Sequence, residues 1–238
     1  TLHWLANYGC RDDYGTSYDQ TSAWAGLHYF ACRNGGAANA AADTVLTAPD
    51  GNAWLVRALA RRAGPRLLTG NAVWRMQEAG DAVVVDCWNE AAQRSQRIRA
   101  DQLIWAAPSF LLPRVWAAMP APLKAAAGTA EYAPWLTANL HLADFPEERR
   151  GAPAAWDNVF YDSPGLGYVV ATHQLIRRRL SGTVLTYYRA LHDVAPDVGR
   201  RQLLETSRET WAAGILGELE PAHPNLRQLV TRLDVFRN

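Results

Sequence analysis

The sequence predicts an α+β fold with a mixed sheet, on three observations. Residues 49–108 run as a turn, a helix, a strand meander and a closing apolar strand. Several short strand-like runs lie between Trp135 and Tyr188. A pattern from about Asp197 to Leu219 then places Leu203, Leu204, Trp211, Ile215 and Leu219 mostly three to four residues apart, the helical period. With 238 residues, 49% apolar and 20% charged, there is core material for one large domain or two small ones.

Taken in order, Asn7 to Tyr18 is rich in Gly, Asp, Tyr and Thr and reads as a loop. A helix fits Ser22 to Arg33, capped by Thr21 or Ser22 and stopped by Gly35-Gly36. Its Trp24, Leu27, Tyr29 and Phe30 pack a core or line a ligand cavity, and aromatics at this spacing more often do the former. The Ala37–Ala42 tract reads as a connector. Val45-Leu46-Thr47 leads to the Pro49-Asp50-Gly51 turn, and Asn52 caps a helix carrying Trp54, Leu55, Ala58 and Leu59, closed by Gly64-Pro65.

Leu67–Thr69, Ala72–Gln77 and Val83–Trp88 read as strands, with Gly80-Asp81 in a turn too long for the two-residue class and Arg97–Arg99 as a third, exposed strand. Leu103 to Ala107 is apolar without alternation, the mark of a strand covered on both faces. It expects parallel partners that the chain barely supplies, so an exposed or rearranged sheet edge is predicted. A helix is expected over Ser109–Met119, with Pro113 near its first turn, and a short one around Leu123–Ala127. Strands follow at Trp135–Leu142, Asn158–Tyr161, Tyr168–Thr172, Thr183–Tyr188 and Leu229–Phe236, and Glu147 to Gly151 forms a solvated loop.

Charge and motifs narrow the function classes. A net charge of +1 supplies no field for nucleic acid or an acidic membrane surface. Lys124 is the only lysine, hence the one candidate for lysine chemistry. Cys10, Cys32 and Cys87 are odd in number and far apart, which predicts reduced thiols in a cytoplasmic protein. No apolar run is long enough to span a bilayer. The start at Thr1 and the stop at Phe236-Arg237-Asn238 predict a segment of a longer chain, with more of the same polypeptide on both sides.

No GxSxG, HExxH or GxxxxGK[ST] motif is present, and the six histidines show no i,i+4 pair, so no metal site is expected. Gly165-Leu166-Gly167 lacks the third glycine of a dinucleotide fingerprint and leads into a strand. Asp12-Asp13 and Glu147-Glu148 read as solvated turns.

Pro49-Asp50-Gly51-Asn52, the helix Trp54 to Arg62, Leu67 to Thr69, Val73, Asp81 to Val85 and Ala100-Asp101-Gln102 through Pro108 together resemble the middle of the flavin-dependent amine oxidase superfamily, which includes monoamine oxidases, phytoene desaturases and protoporphyrinogen oxidase. The resemblance covers about a quarter of the chain closely and the rest by order of elements. It implies a mixed-sheet substrate domain with helices (1–44 and 119–232), a segment of a Rossmann-like FAD-binding domain (45–118) and a return strand (233–238).

The cofactor implied is FAD, with Val73 giving main-chain contacts to adenine and Ala106, Ala107 and Pro108 running beside the adenosine half. The substrate implied is a small, largely apolar organic molecule that loses hydride. Candidates to line its pocket are His173, Trp135, Tyr187, Trp156 and His28, with Trp24, Tyr29, Tyr168 and Tyr188 behind them; His173 is first choice for a polar group. Two departures stand out. The Rossmann glycine motif and the closing FAD motif would lie outside residues 1–238, so the segment by itself is expected to be inactive. The lysine that many amine oxidases place near the flavin has no counterpart in Trp135–Leu140, which favours desaturase-like hydride abstraction. The alternatives are a non-catalytic ligand- or protein-binding module keeping this layout without cofactor, and an aromatic-lined carbohydrate-binding domain.

Overall fold

The computed structural model describes residues 1–33, 38, 47–147, 151 and 155–238. The elements are α1 (Leu2–Tyr14), α2 (Ala23–Ala31), α3 (Ala53–Ala63), β1 (Asn71–Ala79), β2 (Ala82–Asn89), β3 (Arg94–Ala100), α4 (Leu112–Val115), α5 (Ala121–Thr129), β4 (Trp135–Leu142), β5 (Asp157–Asn158), β6 (Gly167–Val170), β7 (Thr183–Ala190), α6 (Pro196–Glu205), α7 (Arg208–Leu219), α8 (Leu226–Leu229) and β8 (Val230–Arg237). The architecture is α+β, in two compact units: Thr1–Asn52 with Tyr132–Asn238, and Ala53–Glu131. Among the described residues no helix is long and apolar enough to cross a membrane.

The larger unit is built on a five-stranded sheet in the order β5-β6-β7-β4-β8, every pairing antiparallel where a mixed sheet was expected. β7 and β8 do run parallel to each other, joined by a helical crossover, but β4 lies between them. β4 alternates strictly: Leu136, Ala138, Leu140 and Leu142 are buried, while Trp135, Thr137, Asn139 and His141 are half-buried on the other face. The buried set meets Leu185 and Tyr187 of β7, Leu233 of β8, Leu203 of α6, and Trp211, Ile215 and Leu219 of α7 in one core. Each such large side chain contributes roughly 1.5–3 kcal/mol on burial.

The single long helix expected from Asp197 is two. Thr206 and Ser207 are extended, and the Ser207 hydroxyl accepts the Thr210 N–H at 3.1 Å, so a side-chain cap displaces the helical hydrogen bond and starts α7 afresh.

The loop expected over Asn7–Tyr18 is instead mostly helix, and its loop-like residues serve a helix–helix interface. A Cβ on Gly9 would stand 2.8 Å from the Tyr29 ring, so glycine there lets α1 and α2 approach closely. Tyr29 donates to Asp12 at 2.9 Å, Tyr14 donates to the Ala25 carbonyl at 2.8 Å, and Gly15 (φ 68°) ends α1 in the left-handed region. α2 starts as expected, with Ser22 accepting the Ala25 N–H. The stop at Gly35-Gly36, the Ala37–Ala42 connector, Val45-Leu46 and Glu148 to Arg150 of the expected loop lie outside the described residues.

In the smaller unit β1, β2 and β3 form an antiparallel meander. Ala79 pairs with Ala82, so Gly80-Asp81 is a two-residue turn after all, with Gly80 at φ 68°. Asp86 is buried on the central strand between two guanidiniums: Arg97 Nε donates at 2.7 Å and Arg75 Nε at 2.7 Å. Leu67–Thr69 forms no strand. Neither does Leu103–Ala107, and Ile104 is 91% exposed rather than buried. A strand persists through its ladder, and among the described residues none pairs with this run. The helix expected over Ser109–Met119 is reduced to a 3-10 turn at Ser109–Leu111 and the single turn α4.

Candidate functional site

A cavity of about 660 Å³ opens in the larger unit beside β6 and β7. Its lining includes Tyr168, Val170, Thr183 and Leu185 from those strands, Asp157 to Tyr161 from β5 and the chain after it, Thr172 and His173 from a 3-10 turn, and Phe145, Pro146, Ala222 and His223. The walls are mainly apolar and aromatic, with a few polar groups, the character of a small-molecule site.

The best-held polar groups are Tyr168 and His223. Tyr168 Oη lies 2.6 Å from His223 Nε2, and His223 Nδ1 lies 3.0 Å from the Glu147 carbonyl. A carbonyl only accepts, so Nδ1 carries hydrogen and the Nε2 lone pair takes the Tyr168 hydroxyl. Thr172 and Thr183 share a hydroxyl hydrogen bond of 2.6 Å. Asp157 accepts from Tyr188 at 3.1 Å, and burial together with that carboxylate raises the Tyr188 phenol, which stays protonated as a donor. Nothing here is an activated nucleophile. An arrangement of this kind can bind and orient a mostly apolar molecule.

Nearby, Glu218 of α7 is a hub. It accepts from the Ser163 hydroxyl, from the Gly165 N–H at 3.1 Å and from Tyr187 Oη at 2.8 Å. Arg11 Nη2 of α1 reaches the carbonyls of Ser163, Pro164 and Gly165 at 3.3, 2.8 and 3.0 Å. The turn before Gly167 is therefore occupied by a carboxylate and a guanidinium, consistent with its poor match to a phosphate-binding fingerprint. Gly167 itself (φ 104°) is required sterically, because a Cβ would fall 1.9 Å from the Asn158 carbonyl oxygen.

Of the residues singled out from sequence, the structure brings His173 and Tyr168 to this cavity. His173 is exposed, on the 3-10 turn after β6. Trp156 falls between two lining residues without being one. Trp135 lies against Gly15, Tyr187 faces Glu218, Tyr29 is committed to Asp12, and His28 is exposed on α2, stacked on Trp24 at 5.0 Å. His223 and Glu218 were missed. His223 sits between Ala222 and Pro224 after a helix, a turn signal at most, and its partner is 55 residues away.

In the smaller unit, Val73 is 42% exposed on β1, an edge strand, where a bulge makes Trp74 the extra residue opposite Asp86 and Cys87. Ala106, Ala107 and Pro108 are exposed in irregular chain. An open strand edge and small exposed residues fit main-chain contact with an adenosine group. The turn that leads into α3, Ala48 to Asn52, carries the single glycine Gly51 (φ 58°) and not the glycine-rich run that brings backbone close to a pyrophosphate.

The fold is one shared with oxidoreductases. The solved structures it resembles include an oxidoreductase from Methanosarcina mazei (TM-score 0.65, 13% identity, covering 100% of this chain and 53% of that one). Cyclohexylamine oxidase from Brevibacterium oxydans matches at TM-score 0.62 with 12% identity, over 99% of this chain and 49% of its own. A protein from Exiguobacterium sp., provisionally named a protoporphyrinogen oxidase, matches at TM-score 0.59 with 11% identity, over 99% of this chain and 45% of its own. The chain thus spans about half the length of these structures. No family model matches it, and neither does any curated protein.

Proposed function

We propose that the chain is the central and substrate-binding part of an FAD-dependent oxidoreductase resembling the amine oxidase superfamily, and that it removes hydride from a small, largely apolar organic substrate. The observation that carries this reading is the likeness of nearly the whole chain to part of cyclohexylamine oxidase, reached independently of the sequence resemblance between Pro49 and Pro108. In this reading residues 1–44 and 119–232 are the substrate domain, 45–118 a flavin-domain segment and 233–238 its return.

Bound FAD would supply the hydride acceptor. Val73, Ala106, Ala107 and Pro108 would hold its adenosine part through main chain and close approach. The chain's own contribution on the substrate side is binding: Val170, Leu185 and Phe160 exclude water, Tyr168 and His223 stay locked to each other, and His173 offers the exposed polar anchor. With no lysine in Trp135–Leu140, the reading favours a desaturase-like substrate over an amine.

The test is to purify the whole gene product containing this chain and record its visible spectrum, with and without added FAD. Yellow flavin absorbance that follows the protein supports the reading. A colourless protein that cannot be reconstituted with FAD sinks it.

A further inference from the structure

A second cavity, of about 490 Å³, lies between the sheet and α6 and α7, and shares no lining residue with the first. Arg189 lines it from the helix-facing side of β7, in register with Leu136. Its Nε is buried with no acceptor, and among the described residues no carboxylate sits within ion-pair distance of it. Trp211, 7% exposed, lines the same cavity, and its indole N–H is also buried without an acceptor. The other orphaned buried side-chain atoms among the described residues are Arg11 Nε and His192 Nδ1. Arg189 acts electrostatically on both of these residues, its charge lowering the pKa of each, after the larger effect of burial.

Buried donors without acceptors are rare and costly, and each calls for a partner. Glu218 also lines the cavity, but it is turned to Ser163, Gly165 and Tyr187 and makes no ion pair with Arg189. What Arg189 Nε and the Trp211 indole lack is an acceptor within reach. Leu136 and Ile215 form apolar wall beside the two donors, with the hydroxyls of Thr206 and Thr210 at hand.

We infer that this cavity binds a small organic carboxylate, with the carboxylate meeting Arg189 and Trp211 and the apolar part lying on Leu136 and Ile215. Ligand oxygens reach the two donors through the small side-chain adjustments common at binding surfaces. The site is independent of the flavin reading, since it uses neither the first cavity nor the smaller unit.

The experiment titrates hexanoate into the chain while following the indole N–H resonance of Trp211 by NMR, assigned through Trp211→Phe. A saturable shift of that resonance is expected, with hexanol binding at least about tenfold more weakly, the scale of a charge-assisted hydrogen bond. Arg189→Gln should weaken hexanoate by about tenfold or more while leaving the circular dichroism spectrum unchanged. Should that variant misfold, calorimetry on Trp211→Phe, which removes the indole N–H and keeps an aromatic ring, should show a several-fold loss. An unmoved Trp211 resonance, equal binding of hexanol and hexanoate, unchanged affinity in both variants, or binding of inorganic phosphate in place of hexanoate would overturn the proposal.

Discussion

Removing one hydroxyl tests the geometry of the first cavity. In Tyr168→Phe the ring stays in the core and the donor to His223 Nε2 is lost, while the Glu147 carbonyl still holds Nδ1 and prevents the imidazole from turning to a new partner. Both residues are buried. Leaving a buried acceptor unsatisfied costs about 1–3 kcal/mol. With a urea slope of about 2 kcal/mol/M, a loss of about 2 kcal/mol lowers the midpoint by about 1 M. The assay is urea denaturation followed by circular dichroism, with Tyr161→Phe as control. That phenol is on a residue 66% exposed, and its loss should stay within about 0.5 kcal/mol. Equal midpoints for Tyr168→Phe and the parent would refute the buried tyrosine–histidine pair and the tautomer assigned from it.

Other outcomes follow from particular positions. Gly167→Ala should cost more than about 2 kcal/mol and perturb β5, since it combines a strained φ with a Cβ overlapping the Asn158 carbonyl; thermal melting measures the first and amide shifts of Asp157 and Asn158 the second. Leu140→Ala, at a fully buried site in the centre of β4, should cost about 2–5 kcal/mol in chemical denaturation. Ser207→Ala should cost about 1 kcal/mol and Ser207→Asp almost nothing, because the cap to Thr210 is kept in the second. Asp86 is held down to about pH 2 in its titration, first by the hydrogen bond from Arg97 and then by Arg75. Its folded pKa lies below the ordinary value of about 3.9, so its stabilisation is complete above about pH 4 and vanishes as pH falls through about 2. Melting temperature against pH should show an acid slope in that window that Asp86→Asn removes.

Much of the fold was legible because local rules and tertiary packing agree. β4 is found to the residue from Trp135 to Leu142, since its alternation of apolar and polar side chains matches one buried and one half-exposed face. α2 is found from its serine cap. Disagreement arises where a residue type serves a distant neighbour. Gly9 and Asp12 read as loop because glycine and aspartate favour turns, yet here Gly9 makes room for α2 and Asp12, like Tyr14, binds it. Leu103 to Ala107 reads as a buried strand because it is apolar throughout, but a strand also needs a ladder. At the site, His173 and Tyr168 stand out beside a strand, whereas His223 and Glu218 gain meaning only through partners at least 31 residues away.

The three carbonyls that hold Arg11 lie about 150 residues further along the chain, 153 in the case of Pro164. Closing a loop of that length costs about 4.5 kcal/mol in its logarithmic part alone, whereas Asp12 and Tyr29, 17 residues apart, meet cheaply. The order of assembly follows. α1 and α2 pair early as a helical hairpin, and Arg11 finds its anchor only after the strands that present Ser163 to Gly165 have formed. During synthesis α1 therefore waits, paired but undocked, until Ser163 to Gly165 have been made. In pulse-labelling hydrogen exchange during refolding, the Arg11 anchor turn should gain protection after the amides of the α1–α2 pair.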